Sequence, residues 1–164
     1  MLRDKNLIPL SHQHQHALAL CVRIERASPI PAGDADAWQK EIAHIYQSEI
    51  HAHFAAEEHV LFPAALQFDE LQTLISQLIS EHGELRQKFT LAVAASMGST
   101  DVSALAQLLS AHIRKEERQL FERMQQLLNH DELGILGSKL QSALKDAEES
   151  CLLPSQTTRL RPTK

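Results

Sequence analysis

Two ten-residue stretches of this chain share one chemical template. His53 to Phe62 read HFAAEEHVLF and His112 to Phe121 read HIRKEERQLF: a His, three residues, Glu-Glu, two residues, then Leu-Phe. Residues four apart on a helix stack on one face about one turn from each other, so His53 with Glu57, and His112 with Glu116, can each grip one ion. The Leu-Phe pairs add apolar bulk one turn further along. Each copy also follows an earlier histidine, His14 before the first and His82 before the second. Together the half-sites offer His14, His53, Glu57, His82, His112 and Glu116, a pseudo-symmetric donor set for a dinuclear metal centre. Imidazole and carboxylate donors at buried positions suit iron, manganese or zinc.

Such a set needs helices to carry it, and the apolar periodicity supplies them. Pro9 fits a helix start, and from Leu10 to Ala27 the residues Leu10, His14, Leu18, Cys21 and Ile24 keep helical spacing. The stretch Ser28 to Gly33 (SPIPAG) cannot continue a helix, and Asp34 can cap the next one. A long second helix is expected over Ala35 to Phe62, with Trp38, Ile42, Ile45, Glu49, His53 and Glu57 on one face and Pro63 kinking or ending it. The third, Asp69 to Met97, gives a core slot to His82 within Leu71, Ile75, Leu78, Leu85, Phe89 and Ala92. Thr100 or Asp101 can cap a fourth helix over Asp101 to Asn129, carrying Leu105, Leu109, His112, Glu116, Leu120 and Met124 on one face. A short fifth, Asp131 to Glu149, stripes Leu133, Leu136, Leu140 and Leu144 for packing on the bundle or a partner. The expected fold is all-α: an antiparallel up-down four-helix bundle with a short C-terminal helix.

A lone histidine on an apolar face is usually a satisfied core residue, but here four helices each place one on the inward stripe. Two of those stripes also carry a glutamate at the following turn, and an unpaired buried carboxylate costs several kcal/mol. Few Lys or Arg fall on the inward stripes, so a pair of cations is the expected compensation. The bland alternative puts Glu57 and Glu116 at a solvated bundle mouth. Glu58 and Glu117 are rotated about 100° from them, towards the rim or an adjacent helix. From there they could hold a ligand imidazole by its other nitrogen. In the run HQHQH, His12 and His16 share a face off the stripe of His14. Only one set can point inward, with His14 favoured and His16 the alternative. Glu49 is a candidate outer partner or a cation partner at the bundle end. His44, His51, His59 and His130 read as surface residues, and Met97 and Met124 as core filler.

A length of 164 residues suits one domain, taken as residues 1–149, followed by a disordered tail over 150–164. A net charge of −5 gives no electrostatic footprint for nucleic acid. Two cysteines, Cys21 and Cys151, exclude a disulfide framework and a Cys-based zinc site. No apolar run reaches the roughly 18 residues of a membrane span, and the start lacks the apolar segment of a secretory leader. A soluble, cytoplasmic protein is expected.

The strings LSHQHQHALAL, HFAAEEHVLFP, EHGELR and HIRKEERQLF, in this order, resemble the hemerythrin-like, HHE cation-binding family over about residues 7 to 130. The resemblance implies a four-helix bundle around two iron ions, bridged by two carboxylates and an oxo or hydroxo group. Its matching ligands here are His14, His53, Glu57, His82, His112 and Glu116. Oxygen-carrying members add a fifth histidine from a His-x-x-x-His pair on the third helix, where this chain has Leu78 and Arg86. The last helix also carries His-x-x-x-Glu in place of the carriers' longer spacing to Asp. Both departures align the chain with HHE-type bacterial proteins and away from reversible oxygen carriage.

Six protein ligands and two bridges leave neither ion saturated, so a small gaseous or peroxide ligand has a place to bind. The leading expectation is a di-iron protein that binds oxygen, nitric oxide or peroxide in sensing, scavenging or iron handling. The alternative is a di-iron enzyme, a nitric oxide or peroxide reductase or an iron–sulfur repair factor. It would need an external electron donor, because the chain has no redox cysteine pair and no flavin or nucleotide motif. A metal-independent bundle acting through its fifth helix is the third.

Overall fold

Each stretch with apolar residues at steps of three and four becomes a helical rod in the computed structural model, which describes residues 2–145, 155 and 157–159. We number the rods α1 (Ile8–Ala27), α2 (35–66), α3 (Gln72–Val93), α4 (99–127) and α5 (His130–Leu144). Among the described residues there is no strand.

Several boundaries differ from expectation for local reasons. Pro9 lies inside the first turn of α1, where its missing N–H costs nothing, so the helix begins at Ile8. α2 passes Pro63 and runs on to Leu66. A π-helical segment, Glu57–Leu61, precedes that proline and puts it in the first turn of the regular helix that follows. Backbone dihedrals stay right-handed helical at Tyr46, His51, Glu57 and Phe62, so α2 remains one continuous rod. α3 is shorter than expected, with a 3-10 turn over Asp69–Leu71 before it and Ala95 at φ 55° just after its end. α4 starts at Ser99, ahead of the expected caps, because Asp101 reaches back to accept the Gly98 N–H at 2.8 Å. Asn129 belongs to the next element: its side chain caps α5 by accepting from the N–H groups of Asp131 and Glu132. The last expected residues of that helix, 146–149, lie outside the described residues.

α1 packs against α4 and α2 against α3. Ser11 meets Glu117 while Ser28 meets Ser103, and Gln39 accepts the Met97 N–H while Tyr46 stacks on Phe89. Partner numbers fall on one rod as they rise on the other, so each pair runs antiparallel. α5 lies over the C-terminal half of α2 and buries Leu133, Leu136, Leu140 and Leu144. Gly137 lets α5 also approach the segment before α1: a Cβ there would meet Asn6 Oδ1 at 2.4 Å.

The apolar interior falls into two clusters. One gathers residues such as Ala17, Ile24, Trp38, Ile50, Phe54, Leu85, Phe89, Leu109 and Ile113. The other gathers Leu10, Leu61, Phe62, Leu78, Leu120 and Phe121, with the stripe of α5. On α1, α3 and α4 the gap between the clusters falls at a polar residue, and on α2 it falls between Phe54 and Ala56, flanked by His53 and Glu57. His14 lies between Leu10 and Ala17, and His82 between Leu78 and Leu85. The His-Glu pairs precede Leu61 and Leu120. Cys21 is a buried core residue, its thiol pushed up to about 12 chiefly by burial.

Most of the tail expected to be disordered lies outside the described residues. Where it is described, Thr158 is buried, bonds Glu41 through its hydroxyl, and accepts from Arg23 at 3.3 Å.

Candidate metal centre

All six histidine and glutamate side chains expected to converge do so, in the layer between the two apolar clusters. His14, His53, Glu57 and Glu116 form one group with ligand atoms within 4.8 Å of one another, and Glu57, His82, His112 and Glu116 form a second. The two groups share both glutamates. None of the six is more than 3% exposed, which removes the solvated-mouth alternative for Glu57 and Glu116.

The glutamates span the two groups. Glu57 Oε1 is 3.1 Å from Nε2 of His53 and 3.8 Å from Nε2 of His14, while its Oε2 is 3.3 Å from Nε2 of His82. Glu116 mirrors it, with Oε2 3.2 Å from Nε2 of His14 and Oε1 3.3 Å from Nε2 of His112. Each carboxylate thus turns one oxygen to each histidine pair. The Nε2 atoms within a pair are 2.9 Å apart for His14 and His53, and 3.1 Å for His82 and His112.

The helix geometry at these glutamates departs from the ideal. π-helical segments begin at Glu57 and at Glu116, running Glu57–Leu61 and Glu116–Phe121. The extra residue per turn carries both members of each Leu-Phe pair inward: Leu61, Phe62, Leu120 and Phe121 are all buried. Phe121 then stacks on His14 and Phe62 lies against His82. The repeated template therefore encodes a helix irregularity as well as a ligand pair.

Behind the convergent atoms stands a closed ring of acceptors. Gln13 on α1 holds Nδ1 of His53 on α2 at 2.8 Å, and Glu58 on α2 holds Nδ1 of His82 on α3 at 2.7 Å. Glu81 on α3 holds Nδ1 of His112 on α4 at 2.8 Å, and Glu117 on α4 holds Nδ1 of His14 on α1 at 2.7 Å. Each rod orients a histidine on the next. With Nδ1–H donating to these acceptors, the Nε2 lone pair of every ring points to the centre. The three glutamates are held in turn by cations: Arg86 on Glu58, Lys115 on Glu81, and Arg3 together with Ser11 on Glu117.

Electrostatics describe the same cluster. Burial works against a charged His14 ring, but Glu116, Glu117 and Glu57 outweigh it and raise its pKa to about 9. His112 is raised to about 10, with burial opposed by Glu116, Glu81 and Glu57. Burial pushes Glu57 up, and the rings of His53 and His82 reverse that, holding its carboxyl well below the usual range. Glu116 is likewise lowered, against burial and against Glu57, by His112 and His14. Each of these shifts favours positive charge between the two carboxylates. Imidazole nitrogens meeting at 2.9 Å, and four carboxylate oxygens with no hydrogen-bond partner, fit a donor set built for cations.

A narrow cavity of about 10 Å³, room for one water-sized molecule, adjoins the centre between Gln13, Ala17, Ile50, His53, Leu109 and Ile113. A larger cleft of about 400 Å³ lies between α2 and α5, around His59, Pro63, Leu128 and Lys139, and includes none of the six converging residues.

Glu58 and Glu117 take the outer positions considered for them from sequence. Glu49 is buried on the inward face and pairs with His16 at 3.0 Å, which keeps His16 out of the centre and leaves His14 as the inward histidine of α1. His44, His51, His59 and His130 are exposed. Gln13, Glu81, Arg86, Lys115, Ser11 and Arg3 were not foreseen. One pattern could have found the first two: all four outer acceptors are sequence neighbours of an inward residue, as Gln13 is of His14 and Glu81 of His82.

The fold and layer define an all-helical protein with a buried histidine–glutamate cluster able to hold metal ions. The model of the hemerythrin HHE cation-binding domain matches residues 9–124, and the chain belongs to that family. No curated protein and no solved structure gave a significant match. Among the described residues, no helix is long and apolar enough to cross a membrane.

Proposed function

We propose that α1 to α4 form an antiparallel up-down bundle around a non-haem di-iron centre that binds a small oxidant: oxygen, nitric oxide or peroxide. His14 and His53 would hold one ion, His82 and His112 the other, with Glu57 and Glu116 bridging. One observation carries the reading. Both glutamates are fully buried, their oxygens lack hydrogen-bond partners, and each turns one oxygen to each histidine pair. Two carboxylates with only imidazoles around them fit a shared pair of cations better than any hydrophobic or single-ion role.

The chain's own residues do the preparatory work. The ring of Gln13, Glu58, Glu81 and Glu117 fixes the imidazole orientation before any ion arrives. Phe54, Phe62 and Phe121 exclude water from the rings they cover. The small apolar cavity leaves room for about one water-sized molecule beside His53 and Glu116. Bound iron would supply the electrons such an oxidant takes up.

Anaerobic loading of metal-free protein with ferrous iron tests this. Two iron ions per chain are expected, with charge-transfer absorption from the near-ultraviolet into the visible on exposure to air. A colourless protein with less than one ion per chain would refute it.

A further inference from the structure

Outside the centre, metal-ligating side chains form a series along the seam between α1 and α2. His12 is exposed, the His16 side chain is 28% exposed, Glu49 is 1% exposed, and His53 with His14 lies just beyond. His12 and His16 stand four apart on α1 with ring centroids 4.5 Å apart, edge to face. Two imidazoles at that spacing share a helix face and can chelate one ion. Nδ1 of His16 meets both carboxylate oxygens of Glu49, at 3.0 and 3.1 Å. That contact leaves the other nitrogen of His16 for an ion, and a carboxylate behind a ligand imidazole is the arrangement that orients it and raises its basicity.

The series leads inward. Glu49 sits one turn before His53 on α2, and His16 two residues after His14 on α1. The small cavity beside the centre is lined by Gln13 and Ala17 from α1 and by Ile50 and His53 from α2, the immediate neighbours of His16 and Glu49. Phe54 and Phe62 cover the His82 ring, Phe121 covers His14, and the small cavity is itself apolar, so an ion needs a polar side chain to carry it past this lining. Glu49 is the acid next to it.

We propose that His12 and His16, with Glu49 behind His16, form an exterior site for a divalent cation through which the buried centre is loaded. The site takes borderline cations such as ferrous iron, cobalt or zinc, which imidazole and carboxylate donors favour. His12 and His16 capture the ion from solution. Glu49 passes it inward by exchanging its contact with His16 for one with the ion, releasing it next to His53 and His14. The loading role rests on the centre proposed above, whereas the exterior site does not.

Cobalt(II) is a suitable probe, because its absorption reports its ligands. Metal-free full-length protein is mixed with substoichiometric cobalt and followed by stopped-flow absorbance, in the wild type, His12→Ala and Glu49→Gln. The wild type should show a fast phase from the exterior site, then a slower one as the ion moves inward. His12→Ala, at an exposed position that does not bear on folding, should lose the fast phase and fill several-fold more slowly while still reaching two ions per chain. Glu49→Gln should weaken the fast phase by about tenfold. Wild-type kinetics in His12→Ala would overturn the exterior site. A fast phase in the wild type with no chain reaching two ions would instead overturn the centre and leave the exterior site standing.

Discussion

Gln13 Oε1 lies 2.8 Å from Nδ1 of His53, which makes His53 the one converging imidazole backed by a neutral amide. His14, His82 and His112 each lean on a carboxylate, and a carboxylate makes an imidazole a stronger donor than an amide does. The two halves of the centre are therefore unequal. The His82–His112 half has two carboxylate-backed rings and the His14–His53 half has one.

Sequential loading follows from that inequality. Equilibrium titration of metal-free protein should show two steps, the tighter at His82 and His112. Glu81→Gln should weaken that first step by about 10- to 100-fold. Gln13→Glu should strengthen the second and draw the steps together. Isothermal titration calorimetry checks this, and two equal sites in the wild type would contradict it.

The two glutamates common to both groups should behave unlike the histidines. His53→Ala removes one donor from one half and should spare the other ion. Glu57→Ala removes an oxygen from each half, so both ions should be lost or weakened together. Metal content after dialysis separates the outcomes. Stability of the metal-free Glu57→Ala protein should also fall, by about 3–5 kcal/mol, because the rings it faces lose their buried partner. Urea unfolding measures that change.

Proton binding gives the metal-free protein a characteristic pH profile. His14 and His112 are raised from 6.5 to about 9 and about 10. A raised histidine contributes stability that is complete below its unfolded pKa and is lost as pH climbs through the folded one. The metal-free melting temperature should therefore drop between pH 7 and pH 10. Metal-loaded protein should resist that drop, since cations replace the protons. At the acid side the sign reverses. Glu81 is lowered to about 2, chiefly by its hydrogen bond to His112, and Glu117 to about 2 by His14, Ser11 and Arg3 against burial. Their contribution is present above about 4.5 and lost as pH falls towards 2. Thermal melts across this range, with and without metal, test both flanks.

Gly137 faces Asn6 too closely for any side chain. Gly137→Ala should push α5 away from the segment before α1 and cost about 1–3 kcal/mol. The centre lies in a different layer and should keep its metal stoichiometry. Loss of both would show that α5 supports the centre directly.

Much of this architecture is legible in the chain because helix periodicity and metal chelation use the same spacing. Leu78, His82 and Leu85 continue one stripe whether the middle residue is apolar or a ligand, so the inward positions could be read without coordinates. His14 could be told from His16 only in part, since both fit the run HQHQH and the choice depends on Glu49 holding His16. The π-helical segments at the two templates were invisible, because they arise where Glu57 and Glu116 must face one way while Leu61–Phe62 and Leu120–Phe121 are both drawn into the core. The outer ring was half legible. Glu58 and Glu117 follow from a 100° rotation and Gln13 and Glu81 share their place beside an inward residue, but which histidine each one holds depends on how neighbouring rods face one another, which no single-helix pattern contains. Pro63 marks an irregularity rather than an end: the bulge before it makes a first turn where the sequence shows a helix interior.

The most direct test is anomalous diffraction from crystals of iron-loaded protein, with data collected on both sides of the iron edge. Two iron peaks per chain are predicted, one beside His14 and His53 and one beside His82 and His112, both contacting Glu57 and Glu116. A single peak, or an iron-free layer with the glutamates paired to other groups, would contradict the account.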